Sequence, residues 1–436
     1  MTDPYYPLRS LKEGRWFKLI CGASFQHLAA VRNLALAYTL AGADCIDVAI
    51  DSAVIVATQE ALKVASELAA EAQRRGFGPP GSPWLMVSLN DGEDPHFRKA
   101  EFNPTECPTE CPRPCESICP AQAIVFNRNE EALTLAPSES GGHKALPQFL
   151  GRHKALPLHF SGVVADHCYG CGRCLPVCPS QLIYTRSYVS TPQAVAPVVL
   201  STGVDAVEIH TQVGRLDAFA RLWKAIAPWV NQLKLVAISC PDGDSLIDYL
   251  WSLHDLIAPL PCPLIWQTDG RPMSGDIGDG TTRAAVKLGQ KVLAAGLPGY
   301  VQLAGGTNSY TVAKLQAVGL IKESRGRREA GTGGELVSSP ASPAPERASP
   351  APLPPISGVA YGSYARVLLS PILDQLEKME VNQGSLMATV RLEENPDLLW
   401  QAVALANSLV SQLKSTQIAI SGSEKRALAP PPSRDL

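Results

Sequence analysis

Short apolar runs alternate with longer amphipathic stretches along most of the chain. The short runs are bounded by turn residues and predict β-strands, whereas the stretches between them have helical periodicity. Eight runs predict strands at 17–22, 44–50, 84–89, 204–210, 233–239, 263–268, 299–304 and 358–362. The intervening stretches predict helices at 28–41, 53–75, 216–230, 245–257, 282–295 and 367–379.

This alternation places the chain in the α/β class. Strands that are apolar throughout and separated by helices pair in parallel through right-handed crossovers. Eight βα units predict a (β/α)8-type barrel that is interrupted after its third strand. An open doubly wound sheet is the alternative, because hydrophobic periodicity does not distinguish the two architectures.

The breaks in the pattern predict the domain organisation. The segment SSPASPAPERASPAPLPP is rich in proline and small residues, which favours an extended, solvated linker. The predicted units are a first barrel part at 1–95, an insertion at 96–190, a second barrel part at 191–322, a proline-rich linker at 323–356, the last strand and C-terminal helices at 357–421, and a disordered tail at 422–436.

Net charge and hydropathy argue against nucleic acid as a partner and against a membrane span. The chain has 436 residues, with 38 Lys plus Arg against 41 Asp plus Glu and a net charge of −3, so it lacks the cationic excess of a nucleic-acid-binding protein. No apolar run reaches the roughly 18 residues needed to span a bilayer. The first residues lack the apolar core of a secretory signal. We therefore expect a cytoplasmic protein without a membrane span.

The twelve cysteines are distributed unevenly. Four of them, Cys21, Cys45, Cys240 and Cys262, are scattered through apolar segments and are predicted to be small buried side chains. The other eight lie between Cys107 and Cys178. A long chain that stays in the cytoplasm keeps its thiols reduced, so this concentration indicates metal chemistry and not disulfides.

The second cysteine run has the spacing of bacterial ferredoxins. It reads CYGCGRCLPVCP, with Cys168, Cys171, Cys174 and Cys178 separated by two, two and three residues and followed by Pro179. A loop with a thiolate at every third residue wraps three corners of an iron–sulfur cubane. The fourth cysteine then points toward a second cluster. This run predicts a [4Fe–4S] cluster.

The first run is wider but continues in the same way. Its cysteines are separated by three residues at each step, and CPAQAI after it matches CPSQLI after the second run. This repeat predicts an α+β, bacterial-ferredoxin-like module with two clusters, in which the last cysteine of each run serves the other cluster. The predicted ligands are Cys107, Cys111, Cys115 and Cys178 for cluster 1, and Cys168, Cys171, Cys174 and Cys119 for cluster 2.

Two questions about these sites stay open at this point. The wider spacing of the first run is compatible with either a [4Fe–4S] or a [3Fe–4S] cluster. Two tetrahedral zinc sites are the competing interpretation, since zinc also binds four thiolates. Zinc sites usually present two cysteine pairs separated by a long spacer, and not four cysteines per run ending in Cys-Pro, so the spacing favours iron and sulfide.

The chain resembles a known family at these residues. The start FKLICGASFQHL, both cysteine runs and the segment QTDGRPMSGDIGDGTT at 267–282 are similar to the cyanobacterial LdpA family of light-dependent period proteins. The resemblance covers about residues 14–420, apart from the linker. It implies an iron–sulfur protein that passes redox and light information to the circadian clock, with clock-associated or redox partner proteins.

Polar residues where the barrel strands end are further candidates, because such loops carry the functional groups of barrels. They are Ser24, Asp51, Asn90, His210, Asp242, Asp269 and Arg271. The turns after strands seven and eight predict a phosphate site formed by Gly305, Gly306, Gly362, Ser363 and Arg366. Tight βα turns are the preferred alternative explanation of these glycines.

Two functional hypotheses follow. The first is a redox sensor without enzymatic activity, because no complete catalytic set accompanies the electron-transfer module. The second is an oxidoreductase in which the clusters pass electrons to a flavin or another phosphorylated ligand at the barrel mouth. The sequence itself contains no pattern that requires a flavin.

Overall fold

Eight parallel strands close into a barrel, which confirms the predicted (β/α)8-type architecture and excludes the open sheet. The strands are β1 (Trp16–Gly22), β2 (Cys45–Ala49), β3 (Trp84–Asn90), β8 (Ala206–His210), β9 (Leu235–Pro241), β10 (Leu264–Asp269), β11 (Tyr300–Ala304) and β12 (Gly358–Tyr361). Their order around the barrel is β1, β12, β11, β10, β9, β8, β3, β2, and β2 pairs with β1 to close it.

This computed structural model describes most of the chain. The described residues are 6–22, 28–78, 82–92, 98–119, 122–126, 162–164, 168, 174–187, 202–271, 278, 280–321, 355–382 and 391–414. The predicted tail and nearly all of the predicted linker lie outside these ranges. Of the linker, Ile356 is described; it is fully buried, and its N–H donates to the carbonyl of Leu320 at 2.7 Å.

Helices connect the barrel strands and surround them. They are α1 (Tyr6–Glu13), α2 (Leu28–Ala41), α3 (Ser52–Arg74), α6 (Leu216–Ile226), α7 (Leu246–Ile257), α8 (Thr282–Ala294), α9 (Thr311–Ala317), α10 (Ser363–Asn382) and α11 (Pro396–Lys414). None of the described helices has the length and hydropathy needed to cross a bilayer.

The outward side chains of the strands form the main hydrophobic core with these helices. Phe17 on β1 stacks between Tyr38 of α2 and Tyr361 of β12, with ring centroids 5.9 and 5.1 Å away. Gly358 lets β12 approach β1 closely, because a Cβ at this position would lie 2.3 Å from the carbonyl oxygen of Trp16. The barrel therefore closes through a contact that only a residue without a side chain permits.

The inward side chains include a buried polar layer. Lys18 of β1 is fully buried, and its Nζ lies 2.9 Å from Asp47 Oδ2, contacts Glu208 and donates to Gln267 Oε1 at 3.0 Å. Gln302 donates in turn to Gln267 Oε1 at 2.6 Å. Each of these residues alternates with apolar neighbours along its strand, which places them all inside the barrel.

Mutual attraction favours the charged forms of Lys18 and Glu208. Burial alone would lower the pKa of Lys18, but the carboxylates of Asp47 and Glu208 outweigh it and raise that pKa above its usual value. Burial would raise the pKa of Glu208, yet Lys18 and His210 lower it to about 2. At Asp47 burial outweighs the attraction of Lys18, so the pKa of that carboxyl is raised.

A second ion pair joins α2 to the turn before α11. Arg32 is buried, and its guanidinium donates to Glu393 at 2.9 Å (Nη1 to Oε2) and 2.5 Å (Nη2 to Oε1). Burial would raise the pKa of Glu393, but the hydrogen bonds from Arg32 dominate and lower it. The pair therefore favours the ionised carboxylate in the folded state.

Glu393→Gln should lower the free energy of unfolding by about 1–2 kcal/mol at neutral pH, because it removes a charge-assisted bidentate contact. The folded pKa is lowered, so this stabilisation is present above the unfolded pKa of about 4.3 and is lost as the pH falls through the folded value. Chemical denaturation at pH 7 and pH 4 measures both effects. Glu71→Gln, which breaks the exposed Glu71–Arg75 pair, is the control and should cost at most about 0.5 kcal/mol. Equal effects of the two substitutions would contradict the assignment.

Candidate metal centre

The two cysteine runs fold together between β3 and β8, outside the barrel sheet. Each run contains one short helix, α4 (Pro114–Ile118) or α5 (Cys174–Val177). A separate hydrophobic cluster holds them, with buried side chains from both halves: Ala100, Phe102, Cys115, Ile124, Phe126, Cys174 and Ile183. Cys107, Cys119, Cys168 and Cys178 pack against this cluster.

Strand pairing gives the region an internal two-fold pattern. The strand β4 (Arg98–Glu101), before the first run, pairs antiparallel with β7 (Tyr184–Ser187), after the second run. The strand β5 (Ile124–Val125), after the first run, pairs antiparallel with β6 (Gly162–Val163), before the second. The strand that precedes each run therefore pairs with the strand that follows the other run.

The turns that follow the two runs have the same local geometry. Gln122 and Gln181 lie three residues after the last cysteine of their runs, and both have a left-handed backbone, with φ of 50° and 52°. Each donates its N–H to the carbonyl of that cysteine, Cys119 or Cys178, at 3.1 Å. The repeat seen in the letters CPAQAI and CPSQLI is therefore also a repeat of backbone conformation.

We name Cys107, Cys111, Cys115 and Cys178, the four thiols predicted for cluster 1, the first quartet; all four belong to the described residues. The pKa of Cys107 is raised by burial, then by the charge and hydrogen bond of Cys111 and by the charge of Cys178. The pKa of Cys115 is raised by burial and then by Cys178 and Cys107. Cys178 therefore lies beside thiols of the other run.

We name Cys119, Cys168, Cys171 and Cys174 the second quartet. Cys174 is 6% exposed at the start of α5, and Cys171 lies outside the described residues. Cys168 Sγ accepts a hydrogen bond from the backbone N–H of Ala100 at 3.3 Å, and Cys119 Sγ accepts one from Ala123 at 3.2 Å. Each of these two sulfurs therefore has a backbone N–H directed at it.

This chemistry fits an iron–sulfur cofactor. Thiolates that approach one another repel, so the first quartet is stabilised when a positively charged metal core binds it. A single zinc ion would draw all its ligands to about 2.3 Å from one point. Among the described residues, no three His, Cys, Asp or Glu side chains form a group able to hold a single ion.

The four scattered cysteines are placed differently. Cys21, Cys45 and Cys240 are buried in the barrel domain, and Cys262 is half-buried. Burial raises the pKa of Cys21 and Cys240 to about 12 and that of Cys262 to about 11. These thiols stay protonated and behave as small apolar side chains, as the sequence predicts.

The residues predicted to bind a phosphate lie at the ends of β11 and β12. Gly305 and Gly306 have φ of 61° and 91°, and a Cβ on them would lie 2.8 Å from the backbone of Arg271 and 2.9 Å from its side chain. The guanidinium of Arg366 donates to the carbonyl of Ile20 and to Ser363 Oγ, both at 3.0 Å, and Gly362 lies beside it. These contacts show packing roles, and phosphate binding stays a prediction.

The other candidates at strand ends have individual partners. Asp51 caps α3 by accepting the N–H groups of Ala53 and Val54, and Asp242 accepts from Lys291 at 2.7 Å. His210 Nε2 lies 3.0 Å from Glu208 Oε1. Asn90 is buried and donates a hydrogen bond to the carbonyl of Gly92, and Asp269 accepts one from Ser239. Arg271 packs against Gly305. Ser24 lies outside the described residues.

Sequence reasoning missed the buried polar layer of the barrel. The signal was available, because each of five strands carries a polar residue at a position that alternates with outward-facing apolar residues. These residues are Lys18, Asp47, Glu208, Gln267 and Gln302.

Two family models and one relative match this chain. A family model for the LdpA Fe-S cluster-binding domain matches residues 107–136 and 152–189. A second model, for the light dependent period A C-terminal domain, matches residues 198–412. A protein of Synechococcus elongatus called Light dependent period A is 42% identical over 409 residues, which is 94% of each of the two chains.

Proposed function

Because the chain belongs to the light dependent period A family and carries its iron–sulfur-binding domain, we propose that it is a redox sensor that binds one [4Fe–4S] cluster in each quartet. The observation that carries the proposal is the approach of Cys178 to Cys107 and Cys115. A cysteine of one run that joins the thiols of the other is the ligand exchange of two-cluster ferredoxin modules.

The first quartet favours a cubane over a three-iron cluster. All four of its thiols are described, and Cys111 forms a side-chain hydrogen bond with Cys107. A [3Fe–4S] cluster results when one thiolate does not reach its iron. The hydrogen bond between Cys107 and Cys111 supports the proposal that all four thiols are ligands despite the wider spacing of the first run. The cofactor supplies one-electron redox chemistry when bound, and the protein supplies the thiolates and their N–H donors.

The signalling role extends this proposal to partners. We propose that the oxidation state of the clusters changes the affinity of the protein for clock-associated proteins. The support is an electron-transfer module joined to a large barrel whose described strand-end residues have structural partners. Copurification from cell extract should therefore differ between oxidised and dithionite-reduced protein. Identical partners in both states would contradict redox sensing but not iron–sulfur binding.

Anaerobically purified full-length protein should contain about eight iron atoms and a similar amount of sulfide, as two cubanes require. Reduction should produce the paramagnetic resonance of [4Fe–4S]⁺ centres. Cys240→Ser, which changes a buried thiol outside both quartets, is the matched control and should keep the full iron content. Zinc in place of iron, or one cluster per chain, would refute the two-cluster assignment.

A further inference from the structure

We infer that the state of the module between β3 and β8 reaches the barrel through a contact at the point where the chain leaves β3. We name this contact the exit clamp; it consists of Asp91, Gly92, Thr211, Arg215 and Tyr249. A module that holds its clusters keeps the exit clamp closed, and loss of the clusters loosens it. This inference rests on the proposed function and adds the path by which a change in the module alters the barrel.

The exit clamp joins the end of β3 to the turn after β8. The N–H of Asp91 donates to the carbonyl of His210 at 3.1 Å, and the carboxylate of Asp91 accepts a hydrogen bond from Thr211. Thr211 Oγ1 also lies 2.5 Å from the hydroxyl oxygen of Tyr249 on α7. The contact therefore connects the exit from β3 to two parts of the barrel, the turn between β8 and α6 and the helix α7.

Gly92 lies against Arg215 because it has no side chain. A Cβ at this position would be 2.5 Å from Nη1 of Arg215. The same nitrogen lies 3.5 Å from Asp91 Oδ1. The guanidinium of Arg215 thus touches both the carboxylate and the backbone of the chain that leads to the module. A shift of that chain must displace Arg215.

The closed exit clamp is incompletely satisfied. The side chain of Asp91 is fully buried, and no donor among the described residues forms a hydrogen bond with its Oδ1. Burial raises the pKa of this carboxyl, although Thr211 and Arg215 act to lower it. A buried carboxylate oxygen without a donor is unfavourable, so the closed arrangement is easily disturbed from outside. Coupling between distant sites requires a contact of this kind, which both sites can bias.

The two connections between the barrel and the module differ in length. Five residues separate Gly92 from β4, whereas fourteen separate β7 from Thr202. At no more than about 3.6 Å per residue, the shorter connection limits how far β4 can move before it pulls on Gly92. At the return point, Asp205 is fixed to Leu85 by two hydrogen bonds of 2.8 and 2.9 Å. Movement of the module therefore acts on the exit clamp before it acts on the return point.

Hydrogen exchange of the full-length protein tests this inference, with clusters bound and after their removal by a chelator. The backbone amides of Asp91, Thr211 and Arg215 donate to carbonyls and report on the exit clamp. They should exchange about tenfold faster in the stripped protein, as the loss of one hydrogen bond to a charged group implies. The amide of Asp205 should exchange equally in both forms. Equal rates at the exit clamp would overturn the inference, whereas absence of iron from the purified protein would overturn the proposed function.

A variant in the centre of the exit clamp tests whether this contact carries the change. Thr211→Val removes the hydroxyl that joins Asp91 to Tyr249 and alters the side-chain volume little. The amide of Arg215 should then exchange rapidly even in the loaded protein, so the difference between the loaded and stripped forms should largely disappear. An undiminished difference would mean that another contact carries the change, and the inference would be wrong.

Two further variants complete the test. Lys234→Met breaks a half-exposed pair with Asp205 at the return point and is the matched control, which should keep the full difference. Loss of the difference in this control would place the coupling at the return point and contradict the inference. If Thr211→Val does not fold, Arg215→Met takes its place, because Arg215 is partly exposed and its removal leaves the bond between Thr211 and Asp91. In Arg215→Met, loss of the difference at the amide of Thr211 supports the inference, and its persistence contradicts it.

Discussion

Lys18→Met should lower the free energy of unfolding of the barrel by about 3–5 kcal/mol, because it leaves buried carboxylates without their cation. In the folded protein, Lys18 Nζ contacts both Asp47 and Glu208 in the barrel centre, and all three side chains are buried. Methionine fills a similar volume, so the loss comes mainly from charge and not from a cavity. Denaturation followed by circular dichroism measures it.

The pH dependence distinguishes a charge effect from a packing effect. With Lys18 present, the pKa of Glu208 is lowered to about 2, so the stabilisation it provides is full above the unfolded pKa of about 4.3 and decreases as the pH falls toward 2. Without the lysine, burial dominates and raises the pKa of that carboxyl. The variant should therefore gain more stability than the unmodified protein as the pH is lowered from 7 to 5; the unmodified protein contains a single carboxyl of this layer with a raised pKa, Asp47.

Two further variants control this prediction. Lys18→Met combined with Glu208→Gln should recover part of the stability, since only Asp47 then lacks a cation. Lys234→Met, which breaks a half-exposed pair with Asp205, should cost at most about 1 kcal/mol. If Lys18→Met lowers the free energy of unfolding no more than Lys234→Met does, the buried polar layer is uncharged in the folded state.

Cys178→Ser should abolish the cluster of the first quartet and leave the cluster of the second intact. The residue belongs to the second run in sequence but approaches Cys107 and Cys115 in the structure. Cys119→Ser should have the reverse effect. In each variant, the iron content should fall from about eight atoms to about four, because a cubane loses a corner ligand.

Paramagnetic resonance identifies the surviving cluster. The spectrum of Cys178→Ser should match that of Cys115→Ser and differ from that of Cys174→Ser. Cys262→Ser changes a half-buried thiol in the barrel domain and should keep both signals. A match between Cys178→Ser and Cys174→Ser would mean that each run supplies all four ligands of its own cluster.

The barrel could be predicted because its determinants are local and repeated. Each strand is a short apolar run, and each helix has its own period, so their order along the chain specifies the architecture. The predicted strand at 17–22 corresponds to β1 at Trp16–Gly22, and the predicted helix at 216–230 becomes α6 followed by a 3-10 turn at Ala227–Gln232. The predicted end of this helix is wrong by four residues, because the hydrogen bonding changes there from the α-helical to the 3-10 type.

The interior of the barrel and the roles of the strand ends were harder to predict. Lys18 looks like an isolated polar residue in an apolar strand until closure brings Glu208 beside it from a strand 190 residues away in the chain. Gly305 and Gly306 fit both a phosphate loop and a packed turn, and only the position of Arg271 distinguishes those roles in space. Long-range contacts of this kind are not encoded in a local pattern.

The module leaves the barrel after β3 and the chain returns to it at β8, and these two strands are direct neighbours that pair from Met86 with Ala206 to Asn90 with His210. The barrel wall is therefore continuous across the point of insertion. Oxidative destruction of the clusters should therefore unfold the module between β3 and β8, whereas the barrel should stay folded.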